Sequence, residues 1–108
     1  MSYKLIIASV KPEYSDKTVD EAKAAGATGA TVITARGTGA QEAKTFFGLT
    51  LEAQTDIILF LVDEDRVQTI LEAIGVAGKF EQPGTGIAFV MPVENVIGME
   101  SQIGKLQK

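Results

Sequence analysis

The sequence predicts an α+β fold of the ferredoxin-like βαββαβ type, with a four-stranded antiparallel sheet and two helices on one face. The first observation is the order of strand-like and helical segments along the chain, which reads strand, helix, strand, strand, helix, strand. The second is that this order forms two crossover units, each of which places its helix on the same face. The third is the length of 108 residues, 45% of them apolar. This suffices for one domain, residues 1–108, with its own core.

The first half of the chain is predicted to form strand, helix and strand. Residues Tyr3–Val10 are apolar at consecutive positions, which is typical of a buried strand, and Pro12 ends the strand. We expect Ser15 to cap the first helix and Gly26 to end it. Residues 30–36 alternate between apolar and polar side chains, so they predict the second strand.

The second half predicts strand, helix and strand again. Residues 55–62 form the strongest strand pattern, and Asp63 is placed to cap the helix that follows. That helix carries an apolar stripe at helical spacing, formed by Val67, Ile70, Leu71 and Ile74. We expect Gly75 to end it and residues 87–91 to form the last strand.

A long connection, residues 37–53, joins the two halves. It exceeds what a tight hairpin needs, and such loops in compact domains are functional or disordered. Residues 41–47 also suit a short helix. The sequence therefore leaves open whether this connection is an exposed binding loop or a packed element.

The strands are apolar on both faces. On the third strand Ile57, Leu59 and Leu61 point to one side, and the alternating residues Ile58, Phe60 and Val62 point to the other. Two helices cover only one of these faces. Because soluble monomers avoid a large exposed aliphatic patch, we expect another subunit to bury the second face in a closed homo-oligomer.

Two glycine-containing loops are candidates for binding an anion. Gly37-Thr38-Gly39 follows the second predicted strand, and Gly84-Thr85-Gly86 precedes the last. Glycine can take φ > 0 and leaves backbone N–H groups free of side-chain obstruction, so such loops can cradle phosphate. Either loop alone is more often a simple turn. If the two loops meet in space, they form a candidate site.

Several residue types are missing, and their absence excludes classes of function. The chain has no His and no Cys, which excludes imidazole and thiolate metal ligation and catalysis by Cys–His or Ser–His pairs. The net charge of −4 argues against nucleic-acid binding. We find no apolar run long enough to enter a membrane and no signal-peptide layout. Without cysteines, a cytoplasmic protein is the default expectation.

Six segments carry a resemblance to a known family: Lys11-Pro12, residues 26–32, residues 37–41, residues 61–65, Gly78-Lys79 and residues 84–87. In this order and at these spacings they resemble the PII signal-transduction proteins of nitrogen regulation, over residues 3 to about 99. The resemblance implies a homotrimer that binds adenine nucleotides between subunits. It implies no catalytic residue and no metal ligand. The ligand-binding residues that it implies are Thr28, Gly37, Thr38, Gly39, Gln41, Lys79, Gly84, Thr85, Gly86 and Ile87.

The sequence also departs from the family pattern, mainly by losing cations. The positions at which the family carries the loop lysine and three arginines are occupied here by Ile87, Ala40, Gly98 and Glu100. Charge-assisted contacts to phosphate are about twice as strong as neutral ones, so we expect weak ATP binding, with ADP, AMP or a small anion favoured. Lys79 and Lys11 are the nearby cations that we nominate as substitutes. The loop 37–53 has no tyrosine, which excludes the nucleotidylylation known in some members.

Three classes of function remain open at this point. The first is a trimeric sensor whose loop 37–53 regulates an enzyme or a transporter. The second is an adaptor trimer of the same fold, including the CutA-like branch, that binds no nucleotide. The third is a small enzyme on a common fold, since fold alone does not determine function. For the third, the chain offers little beyond Lys11, Lys79 and Glu81.

Overall fold

A computed structural model gives the structure of residues 2–35 and 54–99, and the backbone of residues 45–46 and 49–50. The elements in chain order are β1 (Tyr3–Val10), α1 (Pro12–Ala24), β2 (Thr31–Ala35), β3 (Thr45–Phe46), β4 (Leu49–Thr50), β5 (Thr55–Asp63), α2 (Val67–Ala77) and β6 (Gly86–Pro92). A 3-10 turn, Glu64–Arg66, leads directly into α2. Asp63 caps this turn as the sequence predicts, because its carboxylate accepts a hydrogen bond from the Asp65 amide.

The main sheet has the strand order β2-β5-β1-β6, with antiparallel pairing throughout. Each helix connects two strands that are not neighbours along this order, and both helices lie on the same face. The predicted ferredoxin-like arrangement of four strands and two helices is therefore confirmed. Strands β3 and β4 form a separate two-stranded ribbon inside the long connection.

The core lies between the helices and the sheet. Its largest fully buried side chains are Phe60, Ile6, Ile58, Ile70, Ile74, Val10 and Thr18. In β5 the buried residues alternate with half-buried ones, as expected for a strand whose two faces meet different surroundings. Even-numbered residues of β1 and β5 point to the face that carries the helices, and odd-numbered residues point to the opposite face.

The opposite face carries apolar side chains on all four strands, and we call it the helix-free face. Its apolar residues are Leu5, Ile7, Ile33, Ile57, Leu59, Leu61, Ile87, Phe89 and Met91. Ile33 and Met91, at the two edges, expose 46% and 47% of their surface. Within the described part of the chain neither helix covers this face, as the alternation of apolar residues predicts.

The first helix begins earlier than the sequence suggests. Ser15 is not its N-cap: the helix begins at Pro12, and Lys11 occupies the cap position without a side-chain hydrogen bond. Proline suits the first turn of a helix, where its missing N–H has no intrahelical partner in any case. Ser15 is instead buried inside α1, where its hydroxyl donates to the carboxylate of Asp56.

The second helix extends past the glycine that we expected to end it. Gly75 is inside α2, which continues to Ala77 and ends at Gly78. The apolar residues Ile74 and Ala77 are both buried against the core, and this packing outweighs the low helix propensity of one glycine.

Gly75→Ala is therefore expected to stabilise the protein. A Cβ at position 75 meets no atom within 4 Å, and the backbone there is already helical. Alanine is favoured over glycine inside a helix by about 1 kcal/mol. Urea unfolding should show this gain in the free energy of unfolding. A loss of stability would mean that Gly75 has a role that the packing does not show.

The long connection contains strand rather than helix where the structure describes it. Residues 45–46 belong to β3 and pair with β4, in the register Thr45↔Thr50 and Phe46↔Leu49. The alternative of a short helix over residues 41–47 is therefore wrong at its C-terminal end. Residues 36–44, 47–48 and 51–53 lie outside the described residues.

Candidate functional site

The loop of residues 78–85, between α2 and β6, is held in shape by its own hydrogen bonds. Thr85 is buried, and its hydroxyl lies 2.5 Å from the carbonyl oxygen of Lys79 and 2.9 Å from that of Gln82. The amide of Phe80 donates to the carbonyl of Gly75. The Thr85 hydroxyl thus stabilises the conformation of the loop. The predicted contact of Thr85 with a ligand stays a prediction.

Lys79 differs from the other residues of this loop in its backbone conformation and in the contact of its ammonium group with an aromatic ring. Its φ is 58°, in the left-handed region, which costs a residue with a side chain about 1 kcal/mol. Its side chain is exposed, and its Nζ lies 5.7 Å from the centroid of the Tyr14 ring. The Tyr14 amide in turn donates to the carbonyl of Lys11. Tyr14 therefore contacts the ammonium group of Lys79 through its ring and the carbonyl of Lys11 through its amide.

Gly84, in the loop, and Gly86, at the start of β6, are glycines for different physical reasons. Gly84 is exposed with φ 78°, and an added Cβ would meet no atom within 4 Å, as expected of a loop that offers bare backbone. Gly86 does not have a positive φ and belongs to β6, where it pairs with Val10. A Cβ at Gly86 would lie 2.6 Å from the carbonyl oxygen of Ser9 and would overlap the Phe80 ring. Gly86 is therefore required by packing.

A buried polar pair, which the sequence did not single out, lies at the same end of the sheet. Asp56, at the start of β5, is 8% exposed and accepts the hydrogen bond from Ser15. Next to it, the Thr55 hydroxyl donates to the carbonyl of Val10. These bonds fix the chain where it leaves the long connection and enters β5. The signal in the sequence was an aspartate at the start of an otherwise apolar strand.

The predicted site residues fall into two groups at different ends of the sheet. Gly86 is level with Val10, Asp56 and Thr34, so the loop of residues 78–85 lies at that end. Thr34 lies three residues after the start of β2, which is about 10 Å along the strand. Thr28 precedes that start, is exposed, and lies at the far end.

The remaining predicted residues are placed as follows. Ile87 is in β6, paired with Ser9 on the helix-free face, and is half-buried. Gly37, Thr38, Gly39 and Gln41 lie outside the described residues, so the meeting of the two glycine loops stays a prediction. The strand that precedes these four residues, β2, ends at Ala35 opposite Thr55, at the same end of the sheet as Gly86.

A cation that the sequence analysis missed lies at the Thr28 end. The side chain of Arg66 crosses Gly26, with its Cδ 3.1 Å from the position that a Cβ would occupy there. Gly26 has φ 124°, so the turn after α1 is built on a glycine over which the arginine passes. No local pattern brings these two residues together, because the contact arises from the packing of α1 against α2.

The comparisons with known proteins agree with this architecture. The family model described as "Nitrogen regulatory protein P-II" matches residues 3–102. This chain belongs to that family. The crystal structure of Arabidopsis thaliana PII bound to citrate is similar in fold, with a TM-score of 0.71 and 24% sequence identity. The match covers 93% of this chain and 85% of the Arabidopsis chain. A comparison with curated proteins finds no significant match.

The match to the PII family covers the fold and both ends of the sheet. It includes β1 to β6 and therefore Thr28, the loop of residues 78–85 and the long connection. The expectation drawn from the six motifs, that this is a PII-like protein of the nitrogen-regulatory family, is confirmed. Among the helices that the structure describes, none is long and apolar enough to cross a membrane.

Proposed function

We propose that this PII-family protein is a homotrimeric sensor that binds a small anion or an adenine nucleotide in the clefts between its subunits. The observation that carries the proposal is the position of the predicted site residues at two ends of one sheet. One chain holds Thr28 at one end and Lys79 with Gly84 at the other. Neighbouring copies in a closed ring can bring the two ends together in one cleft.

The helix-free face supports the association of subunits. A row of side chains crosses the sheet from Thr31 through Leu59 and Ile7 to Phe89. The next row is also largely aliphatic, with Ile33, Ile57 and Ile87 on the same side as Ser9. Burial of such a surface contributes about 25 cal/mol per Å² of apolar area removed from water. In the proposed trimer, the two other copies of the chain cover this face.

The ligand is proposed to be small and anionic. The exposed side chain of Lys79 and the bare backbone of Gly84 lie in a loop that is held in shape by the hydrogen bonds of Thr85. The Arabidopsis relative is bound to citrate, which is itself an anion. Because the family's loop lysine and arginines are replaced here, the triphosphate of ATP has few cations to hold it. The proposal therefore favours ADP, AMP or a small anion over ATP.

We propose that ligand binding changes how residues 37–53 interact with a partner protein. This connection begins and ends at the sheet end that carries Gly86, between Ala35 and Thr55. A ligand at that end of the sheet would lie beside the two points where the connection joins β2 and β5. The partner would be a regulated enzyme or transporter in the cytoplasm, and the protein would act by binding rather than by catalysis.

An adaptor trimer that binds no nucleotide is the second candidate function. It is favoured by the loss of the family's cations: Ile87 is half-buried on the helix-free face, and Gly98 is exposed with φ 96°. Neither residue offers a positive charge to a phosphate. Both candidates share the trimer, so ligand binding separates them.

Calorimetry with ATP, ADP, AMP, citrate and phosphate is the test of the sensor. We expect ADP, AMP or one of the anions to bind more tightly than ATP, and Lys79→Ala to weaken that binding about tenfold by removing a charge-assisted contact. Lys17→Ala is the matched control, because this exposed lysine lines the groove between α1 and α2 instead. Tight ATP binding that survives Lys79→Ala would contradict the proposal. Absence of binding by all five compounds would favour the adaptor.

A further inference from the structure

A groove between α1 and α2 presents apolar surface to solvent. Four alanines line it, Ala24 and Ala25 from α1 and Ala73 and Ala77 from α2, and Val76 lies beside them. The side chain of Val76 is 80% exposed, so nothing in residues 2–35 and 54–99 covers that side of the groove. Because alanine side chains are short, an apolar side chain from another segment can approach both helices closely here.

The same groove is acidic in net charge. Glu21 of α1 and Glu72 of α2 line it, and both are exposed. Lys17 is the cation of the lining. Within the described part of the chain, the salt bridge found joins Lys4 to Glu64, so neither carboxylate of the groove has a cationic partner there. A basic segment with apolar residues is therefore complementary to the groove.

The segment of residues 100–108, ESQIGKLQK, has this composition. Its apolar residues are Ile103 and Leu106, and its two lysines are Lys105 and Lys108. The main sheet is complete at Pro92, and the match to the family model ends at residue 102. The four residues named here therefore lie beyond both the sheet and the matched region.

The chain leaves the sheet at the end where the groove begins. The last residues of β5 and β6 both pair with the start of β1, so the two strands end together. Arg66 follows β5 closely, and its side chain packs over Gly26, the residue after the C-cap of α1. The C-terminal end of α1, with Ala24 and Ala25, is thus at the same end of the sheet as Pro92.

The segment is long enough to reach the groove and to lie along it. Ile103 follows Pro92 by 11 residues, which span up to about 36 Å when extended. The groove extends along α1 from Ala24 to Lys17, which is about 10 Å at 1.5 Å per helical residue. The remaining residues 104–108 can therefore follow the groove toward Val76.

From these observations we propose that residues 103–108 dock into the groove between α1 and α2 of their own chain. Ile103 and Leu106 contact the alanines and Val76, and the two lysines lie beside the carboxylates of the groove. Exposed ion pairs are weak, so the apolar contacts contribute most of the stabilisation. The groove is on the helix side of the sheet, away from the helix-free face. Docking therefore depends neither on the proposed trimer nor on its ligand.

Disulfide cross-linking of the full chain tests the contact directly. The natural chain has no cysteine, so a disulfide can form only between introduced residues. We expect Val76→Cys with Gln107→Cys to form a disulfide within one chain on oxidation with copper phenanthroline. Gln68→Cys with Gln107→Cys is the matched control, because Gln68 is exposed on α2 but does not line the groove. The groove pair should cross-link at least about tenfold faster than the control pair, because docking raises the local concentration of the two thiols.

Methyl NMR tests the apolar contact in a chain without introduced cysteines. Leu106→Asp places a charge against the apolar surface and should shift the methyl signals of Val76. Gln107→Asp adds the same charge to the neighbouring residue, keeps both apolar residues of the segment, and should leave these signals near their wild-type positions.

Three results would overturn the proposal. The first is an equal cross-linking rate for the groove pair and the control pair, which would leave the groove free for a separate partner protein. The second is a set of Val76 methyl signals that is the same in wild type and Leu106→Asp. The third is a disulfide that forms only between chains, which would assign the groove to the segment of a second copy.

Discussion

Leu59→Asp is expected to convert the proposed trimer into a folded monomer. Leu59 lies in the middle of the helix-free face, paired with Ile7 on one side and Thr31 on the other. In the proposed trimer the carboxylate would be buried in an apolar interface without a partner, which is too costly for association to absorb. In a monomer the same side chain would face water, because the helices lie on the other side of the sheet.

Sedimentation and circular dichroism test this expectation together. The variant should sediment as a monomer at micromolar concentration and keep its helical and strand signals. Val76→Asp is the matched control, because Val76 is 80% exposed on α2, away from the helix-free face, and this variant should remain a trimer. A Leu59→Asp variant that stays trimeric, or a wild-type protein that sediments as a monomer, would refute the proposed assembly.

The neighbours of Leu59 on β5 are unsuitable for the same experiment. Ile58 and Phe60 are fully buried under the helices, so a carboxylate at either position would unfold the chain rather than only dissociate the subunits. From the sequence, the two faces of this strand were equivalent. The structure shows which of them is covered from within the chain.

Gly86→Ala is expected to destabilise the protein by about 3 kcal/mol, because overpacking of a tight site typically costs this much or somewhat less. The added methyl group would lie 2.6 Å from the carbonyl oxygen of Ser9 on the neighbouring strand. It would also displace the ring of Phe80, which packs against the core. The backbone of β1 cannot move away without breaking its pairing with β5 and β6.

Urea unfolding at one fixed protomer concentration measures this loss, since the stability of an oligomer depends on concentration. Gly29→Ala is the control: its Cβ would meet no atom within 4 Å and its φ is not positive. It should change the free energy of unfolding by less than about 0.5 kcal/mol. If the two variants were equally stable, the close approach at Gly86 would not be what requires a glycine there.

The sequence by itself determined the kind and order of the elements. Strands β1 and β5 follow from runs of branched and aromatic residues, and α2 follows from its apolar stripe at helical spacing. These signals are local, so no knowledge of the three-dimensional contacts is needed to read them. The family motifs are local as well, and they carried the assignment to the PII family.

Tertiary structure alone decided the features that depend on contacts between distant residues. Ser15 is inside α1 and not its cap because its hydroxyl finds Asp56, 41 residues away in the sequence. Gly86 is a glycine because Ser9 and Phe80 approach it closely, and Arg66 reaches the turn at Gly26 because two helices pack together. Likewise, only the strand register places Thr28 and the loop of residues 78–85 at different ends of the sheet, since distances between elements are set by packing and not by local sequence.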